Sequence, residues 1–219
     1  MNTEKSGQKT DNEQIIKDDQ KINGGQTINT GQTVNGGSKK VDHVTRISRK
    51  LVYKANILDI YDDEVLTPEG YVAHWDFIGH KGAAAVVAVR DDKKLVMVRQ
   101  YRNALDRETI ELPAGARDYV GEPTLECAVR ELKEETGYTA GKMEYLMTVR
   151  TAIAYCNELI DIYVATDLRK GEQHLDADEV INVQAFDIED LCSMVYRGEL
   201  QDVKTIAALF AYKNKYLKN

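Results

Sequence analysis

The chain has 219 residues, 42% of them hydrophobic and 30% charged, a balance that suits a soluble globular fold and excludes a fibrous one. A formal charge of −7 argues against a nucleic-acid partner, because a phosphate backbone is held by clustered Lys and Arg. The longest apolar stretch, Ala83 to Val89, is far short of the roughly 20 residues a spanning helix needs, so no membrane partner is expected.

Residues 1–40 are rich in Gly, Asn, Gln, Thr, Lys and Asp and lack aromatic residues, which predicts a disordered low-complexity leader. They also lack the apolar core of a signal peptide, so a cytoplasmic location is expected. The leader's near-repeat, Gly25-Gln26-Thr27-Ile28-Asn29 and Gly31-Gln32-Thr33-Val34-Asn35, has too few copies for a stacked architecture. Across residues 41–80, strand-like segments around Leu51–Ile60 and Tyr71–Ile78 flank the turn signal Thr67-Pro68-Glu69-Gly70 and predict a small antiparallel β domain.

Residues 81–219 read as an α/β domain. The buried-type run Ala83–Val89 is followed by a turn at Asp91-Asp92-Lys93-Lys94, a strand over Leu95–Gln100 and another near Glu108–Leu112 that stops at Pro113. Over Thr124–Thr136 the spacing predicts a helix with Leu125, Ala128, Val129 and Leu132 on one face, Pro123 at its start and Gly137 at its end. Strands are expected at Glu144–Thr151, Leu159–Ala165 and Val180–Phe186, and a short helix at Ile188–Tyr196. The last helix, Val203–Tyr216, carries a stripe of Val203, Ile206, Ala207 and Phe210, with Asp202 as cap and Lys213, Lys215 and Lys218 near its C-terminal end. Cys127, Cys156 and Cys192 show neither metal-type spacing nor a disulfide pattern and read as reduced, packed thiols.

Chemistry concentrates on the Thr124–Thr136 helix. Glu131 and Glu135 lie one turn apart, with Glu134 round the same side. Like charges so placed repel, and a helix built only for stability would intersperse lysines there; Arg130 and Lys133 are expected on the other flank. A bound cation relieves the repulsion, and oxygen-only ligands select hard Mg²⁺ or Mn²⁺. Taken alone, the same acids also suit a solvated helical surface.

Context separates the two. Glu122 is followed by seven residues and then Arg130-Glu131-Leu132-Lys133-Glu134-Glu135-Thr136-Gly137-Tyr138, downstream of Gly115. This resembles the signature of the Nudix hydrolase superfamily. Six residues, Ala116 to Gly121, separate Gly115 from Glu122, one more than the family usually has; the extra residue falls in the loop before the helix and leaves the register of the acids intact. The resemblance implies a mixed β-sheet sandwiched between helices, with Glu131, Glu134 and Glu135 as metal ligands.

Val98-Arg99-Gln100-Tyr101-Arg102 and Glu111-Leu112-Pro113-Ala114-Gly115 resemble the ADP-ribose pyrophosphatase branch of that superfamily. That likeness implies a homodimer formed through the N-terminal sheet, Arg102 on the diphosphate, Glu111 on the nucleoside and the Ala114 carbonyl on a metal. Trp75 stands where the branch stacks an aromatic on adenine, although a lone Trp is as often a core residue. A further carboxylate must activate water; Glu179 is the first choice, Asp178 the second, and Glu158 another substrate-side candidate. Glu134 is expected to share in catalysis.

The implied reaction is Mg²⁺-dependent hydrolysis of a nucleoside diphosphate sugar, ADP-ribose giving AMP and ribose 5-phosphate. Another such sugar, for example GDP-mannose, is the alternative substrate. A non-catalytic ADP-ribose sensor is the alternative class, although such proteins tend to lose the acids that are present here.

Overall fold

The computed structural model describes residues 41–55, 58–177 and 179–217. The leader expected over residues 1–40, the second-choice base Asp178 and Lys218 lie outside the described residues.

Three antiparallel strands, β1 (Thr45–Lys54), β2 (Asp59–Leu66) and β3 (Val72–Gly79), form the small sheet in the order β1-β2-β3. The turn between β2 and β3 is where Pro68 and Gly70 predict it, closed by the Gly70 amide on the Thr67 carbonyl at 3.0 Å with Gly70 at φ +89°. Between β1 and β2 the sequence reading fails, because Leu51–Ile60 is not one strand: the chain turns there, the Ala55 amide donating to the Leu58 carbonyl at 3.1 Å. Apolar alternation hides this hairpin, since its interior is partly ionic. Asp63 on β2 is buried and accepts from Arg49 Nε at 2.6 Å and Nη2 at 2.7 Å, while the Arg49 guanidinium lies 3.4 Å from the centre of the Phe77 ring.

The larger sheet is built around β4 (Ala83–Val89), every residue of which is buried. Its order is β10 (Ile181–Phe186), β5 (Leu95–Arg102), β4, β9 (Ile160–Lys170), β8 (Tyr138–Val149), with β6 (Arg107–Glu111) added to β5 and β7 (Ala114–Ala116) to β4. Among the described strand pairs of this sheet, only β4 and β9 run parallel. Alternate residues of β4 face opposite layers. Ala83, Ala85, Val87 and Val89 join the core under α2 (Ile188–Tyr196) and α3 (Val203–Tyr216); Ala84, Val86 and Ala88 meet Cys127, Ala128 and Leu132 of α1 (Thr124–Thr136). The expected mixed sheet between helices is therefore present.

Two helix faces are rotated from the expected stripes. On α1 the buried residues are Thr124, Cys127, Ala128, Glu131, Leu132, Glu135 and Thr136, whereas Leu125 and Val129 are exposed. Choosing the most apolar stripe misplaces the face, because two glutamates occupy part of the buried one. On α3 the buried set is Lys204, Thr205, Ala208, Leu209 and Tyr212, with Val203 exposed. Asp202 does cap α3, accepting from the Thr205 amide at 3.1 Å, and Gly137 does end α1 with φ +74°. Strand β8 begins at Tyr138, directly after that glycine and earlier than expected, and its bulge between Tyr145 and Met147 breaks the alternation on which the sequence reading depends.

Strands β4 and β5 pair only at Ala88–Val96 and Val89–Leu95. Beyond that point β5 pairs with β6 and β4 with β7, and the Val86 amide donates to the Pro113 carbonyl at 2.9 Å. The two central strands thus part around the segment that carries Glu111 to Gly115.

Candidate active site

The parting of β4 and β5 positions the expected site residues. Arg102 ends β5, Glu111 ends β6, and Ala114 and Gly115 begin β7 against α1. The Ala114 amide donates to Glu135 Oε2 at 2.9 Å. At Gly115 a side chain has no room, since a Cβ there would lie 2.1 Å from Glu131 Cδ. Both buried carboxylates of α1 are in this way pressed onto the β7 backbone.

Their electrostatics follow from that burial. Burial pushes Glu135 up to about 8; the Ala114 N–H opposes this, and Glu131 and Glu179 add to it. Glu131 rises to about 7, again chiefly by burial, with Arg130 opposing and Glu134 and Glu179 reinforcing the rise. Glu179, exposed in the loop before β10, sits within electrostatic range of both acids. Its own Oε2 accepts from the Asp176 amide at 3.1 Å.

Arg130 is not on the opposite flank. Its Nη1 donates to Glu131 Oε1 at 2.6 Å and to Glu134 Oε2 at 3.2 Å, and its Nη2 lies 3.5 Å from Glu122. Burial works against its charge, yet the Glu131 carboxylate beside it raises its pKa. The loop residue added between Gly115 and Glu122 is absorbed before the helix: Glu122 is buried, accepts from the Asp118 amide at 2.7 Å, and donates its own amide to the Tyr119 carbonyl at 3.2 Å.

Two cavities meet at Arg102, Asp202 and Lys204, and one of them reaches β7. One of about 250 Å³ is lined by His80, Ala114, Gly115, Thr151, Glu158 and Arg102, among others. The second, about 390 Å³, includes Leu105, Thr109, Glu111 and Gln201, and Arg102, Asp202 and Lys204 border both. Arg102, Ala114 and Glu158 are thus brought together as expected, with Glu111 next to them. Trp75 is exposed on β3 and lines neither cavity, so it is not a core aromatic.

Glu111 is held by protein groups. Arg102 Nε and Nη2 donate to its two oxygens at 2.7 Å each, Thr109 Oγ1 adds a bond at 2.7 Å and Lys204 Nζ one at 2.6 Å. Burial alone would raise its pKa, but Arg102 and Lys204 hold it down at about 2. A direct nucleoside contact by Glu111 would have to displace one of these donors.

Sequence reasoning missed Lys204, His80 and Thr151. Lys204 leaves a signal nonetheless: a lysine in the first turn of a helix opposes the helix dipole and implies a carboxylate partner. For His80 the sequence offers none; the Gly82 amide donates to its Nδ1 at 3.0 Å, which leaves Nε2 to carry the proton towards Glu158 Oε1, 3.6 Å away.

Residues 79–209 match the model of the NUDIX domain, more than half of the chain. The chain belongs to the Nudix family. An ADP-ribose pyrophosphatase of Bacillus subtilis (strain 168) is 34% identical over 78% of this chain and 91% of its own length. A methanol dehydrogenase activator of Bacillus methanolicus is 33% identical over 74% of this chain and 89% of its own. The fold matches a crystal structure of an ADP compounds hydrolase with a TM-score of 0.69 at 22% identity, covering 81% of this chain and 96% of that one.

Nudix hydrolases generally use divalent metal ions, and the donor set here fits one. Two buried acids held at about 7 and about 8 call for positive charge, and their donors are all oxygen. Among the described residues no three His, Cys, Asp or Glu side chains yet point at one centre. Arg130 engages Glu131 and Glu134, while Glu135 accepts from the Ala114 amide. Glu131, Glu134 and Glu135 could ligate together once Arg130 releases the first two.

Proposed function

We propose that this protein hydrolyses ADP-ribose to AMP and ribose 5-phosphate with Mg²⁺, or Mn²⁺ in its place. As a Nudix hydrolase it is a pyrophosphatase, and the class of its substrates, nucleoside diphosphate sugars, follows from its relatives. What carries the proposal is one juxtaposition: the acids of α1 pack on Ala114 and Gly115, and that same backbone segment lines the cavity edged by Arg102.

The residues divide the work. Arg102 uses two of its five N–H donors on Glu111 and has others for the diphosphate oxygens. Glu131, Glu134 and Glu135 would hold the divalent ions, with the Ala114 carbonyl as a further donor. When bound, those ions neutralise the diphosphate and polarise the P–O bonds. Glu179 takes the proton from the attacking water as a new P–O bond forms, and the bridging P–O bond breaks, its electrons staying on the leaving phosphate oxygen. Glu134, released from Arg130, supports this step, and Glu158 faces the substrate from the cavity wall. An acidic protein can bind an anionic sugar nucleotide because the ions reverse the local field.

Residues 41–80 act as the dimerisation domain in this proposal. Val52, Tyr53, Val72 and Trp75 give the small sheet exposed apolar side chains, and Trp75 would serve an adenine bound in the partner. Among the described residues no helix is long and apolar enough to cross a membrane, and we place the protein in the cytoplasm.

Chromatographic identification of products tests the substrate. Incubation with ADP-ribose and Mg²⁺ should release AMP, and Glu134→Gln and Glu135→Gln should each slow that release. A panel in which GDP-mannose is cleaved far faster than ADP-ribose refutes the substrate; unaltered rates in both variants refute the site.

A further inference from the structure

We propose that Lys204 is a positioning residue for substrate binding, fixing Arg102 through the carboxylate of Glu111. The inference rests on the reading of Arg102 as the diphosphate contact.

Lys204 is a costly choice for its place. It sits in the first turn of α3, where positive charge opposes the dipole, and its side chain is 10% exposed. The helix has no need of it as a cap, because Asp202 already accepts from the Thr205 amide at 3.1 Å. Arg102 already binds both oxygens of Glu111, so Lys204 adds to a carboxylate that has one cation in place. Lys204 instead supplies the last donor.

Its contribution is geometric. Oε1 of Glu111 accepts from Arg102 and Thr109, and Oε2 from Arg102 and Lys204, so the roughly four acceptor positions of the carboxylate are filled and its plane has one orientation. A two-bond Arg–carboxylate pair is coplanar, so the guanidinium inherits that plane. Arg102 is 42% exposed while Glu111 is 4% exposed, and Arg102 borders both cavities. The rigid end of the pair is buried and the working end faces the site.

Helix α3 is tied to the same strand end. The Leu112 amide donates to Thr205 Oγ1 at 2.9 Å, Thr205 Oγ1 donates to Asp202 at 2.5 Å, and Lys204 reaches Asp202 at 3.0 Å. The first turn of α3 thereby carries its placement to Arg102 through two adjacent residues, Glu111 and Leu112.

The test compares wild type, Lys204→Met, Lys204→Arg, Arg102→Ala and the Lys204→Met/Arg102→Ala double variant, measuring kcat and KM for ADP-ribose and the thermal midpoint of each. Lys204→Met should raise KM roughly tenfold with kcat changed less than about twofold, the pattern of lost binding rather than lost chemistry. Lys204→Arg should recover most of that loss. In the double variant KM should equal that of Arg102→Ala alone, because Lys204 acts through Arg102. Multiplying effects in the double variant, or an unchanged KM in Lys204→Met while Arg102→Ala raises it, overturns the proposal and leaves the assignment of Arg102 standing. An unchanged KM in Arg102→Ala overturns that assignment itself. Thr109→Val removes a tie on the same carboxylate without touching α3; it should also raise KM, and this keeps the proposal testable if Lys204→Met does not fold.

Discussion

Two buried glutamates of this protein, Glu135 and Glu111, stand in opposite states. Glu135 has one backbone N–H and like charges nearby, and burial drives it up to about 8. Glu111, as deeply buried, receives Arg102, Lys204 and Thr109 and is held at about 2. Residue type and burial are the same; Arg102 and Lys204 hydrogen-bond Glu111 directly, whereas Lys204 reaches Glu135 only through its field. The first environment suits a carboxylate that meets its charge in a ligand, the second one whose charge is already balanced within the fold.

The contrast can be broken by neutral isosteres, and the largest effect belongs to Glu135. Glu135→Gln should lower kcat by roughly a thousandfold, about 4 kcal/mol of barrier, the scale of losing a metal's charge stabilisation. The same variant, unfolded without metal, should be no less stable than wild type, because it removes a burial cost and the amide oxygen can still accept from Ala114. Glu111→Gln should do the reverse in a thermal melt, destabilising by about 3 kcal/mol, because Lys204 and Arg102 are left without a counter-charge. A midpoint that falls in the first variant and holds in the second would invert the comparison.

Titration sharpens the same contrast. The Glu111 pKa is depressed from 4.5 to about 2, so the stability it contributes is present above about pH 4.5 and is lost as pH falls towards about 2. Urea melts of wild type and Glu111→Gln should therefore converge across that window, and parallel curves down to pH 2 would contradict the assignment. The smallest effect is expected on the far face of α1, where Val129→Ala should change stability by no more than about 0.5 kcal/mol because the side chain is exposed.

Much of this fold is legible in the sequence where burial and polarity agree. Ala83–Val89, Thr124–Thr136, Ile188–Tyr196 and Val203–Tyr216 have the bounds that periodicity and capping predict. Legibility fails where a polar group is buried with a partner distant in sequence. Asp63 with Arg49 conceals the first hairpin, Glu131 and Glu135 rotate the buried face of α1, and Lys204 with Glu111, 93 residues apart, conceals a wall of the site. The acids of α1 can be found because their chemistry is local, one turn of helix. Arg102, Ala114 and Glu158 required the resemblance to a family, and the pairing of Lys204 with Glu111 required coordinates.

The loop from Arg117 to Gly121 offers a practical handle. Tyr119 and Val120 are exposed, a Cβ on Gly121 would meet nothing within 4 Å, and the chain around them already accommodates its additional residue ahead of α1. The positive φ of Gly121 makes that residue the one to keep. A fluorescent reporter or short peptide tag inserted between Tyr119 and Val120 would ride on Asp118 and Glu122, both of which reach Arg130. Rearrangement of the arginine could then be followed optically without altering any residue assigned to catalysis.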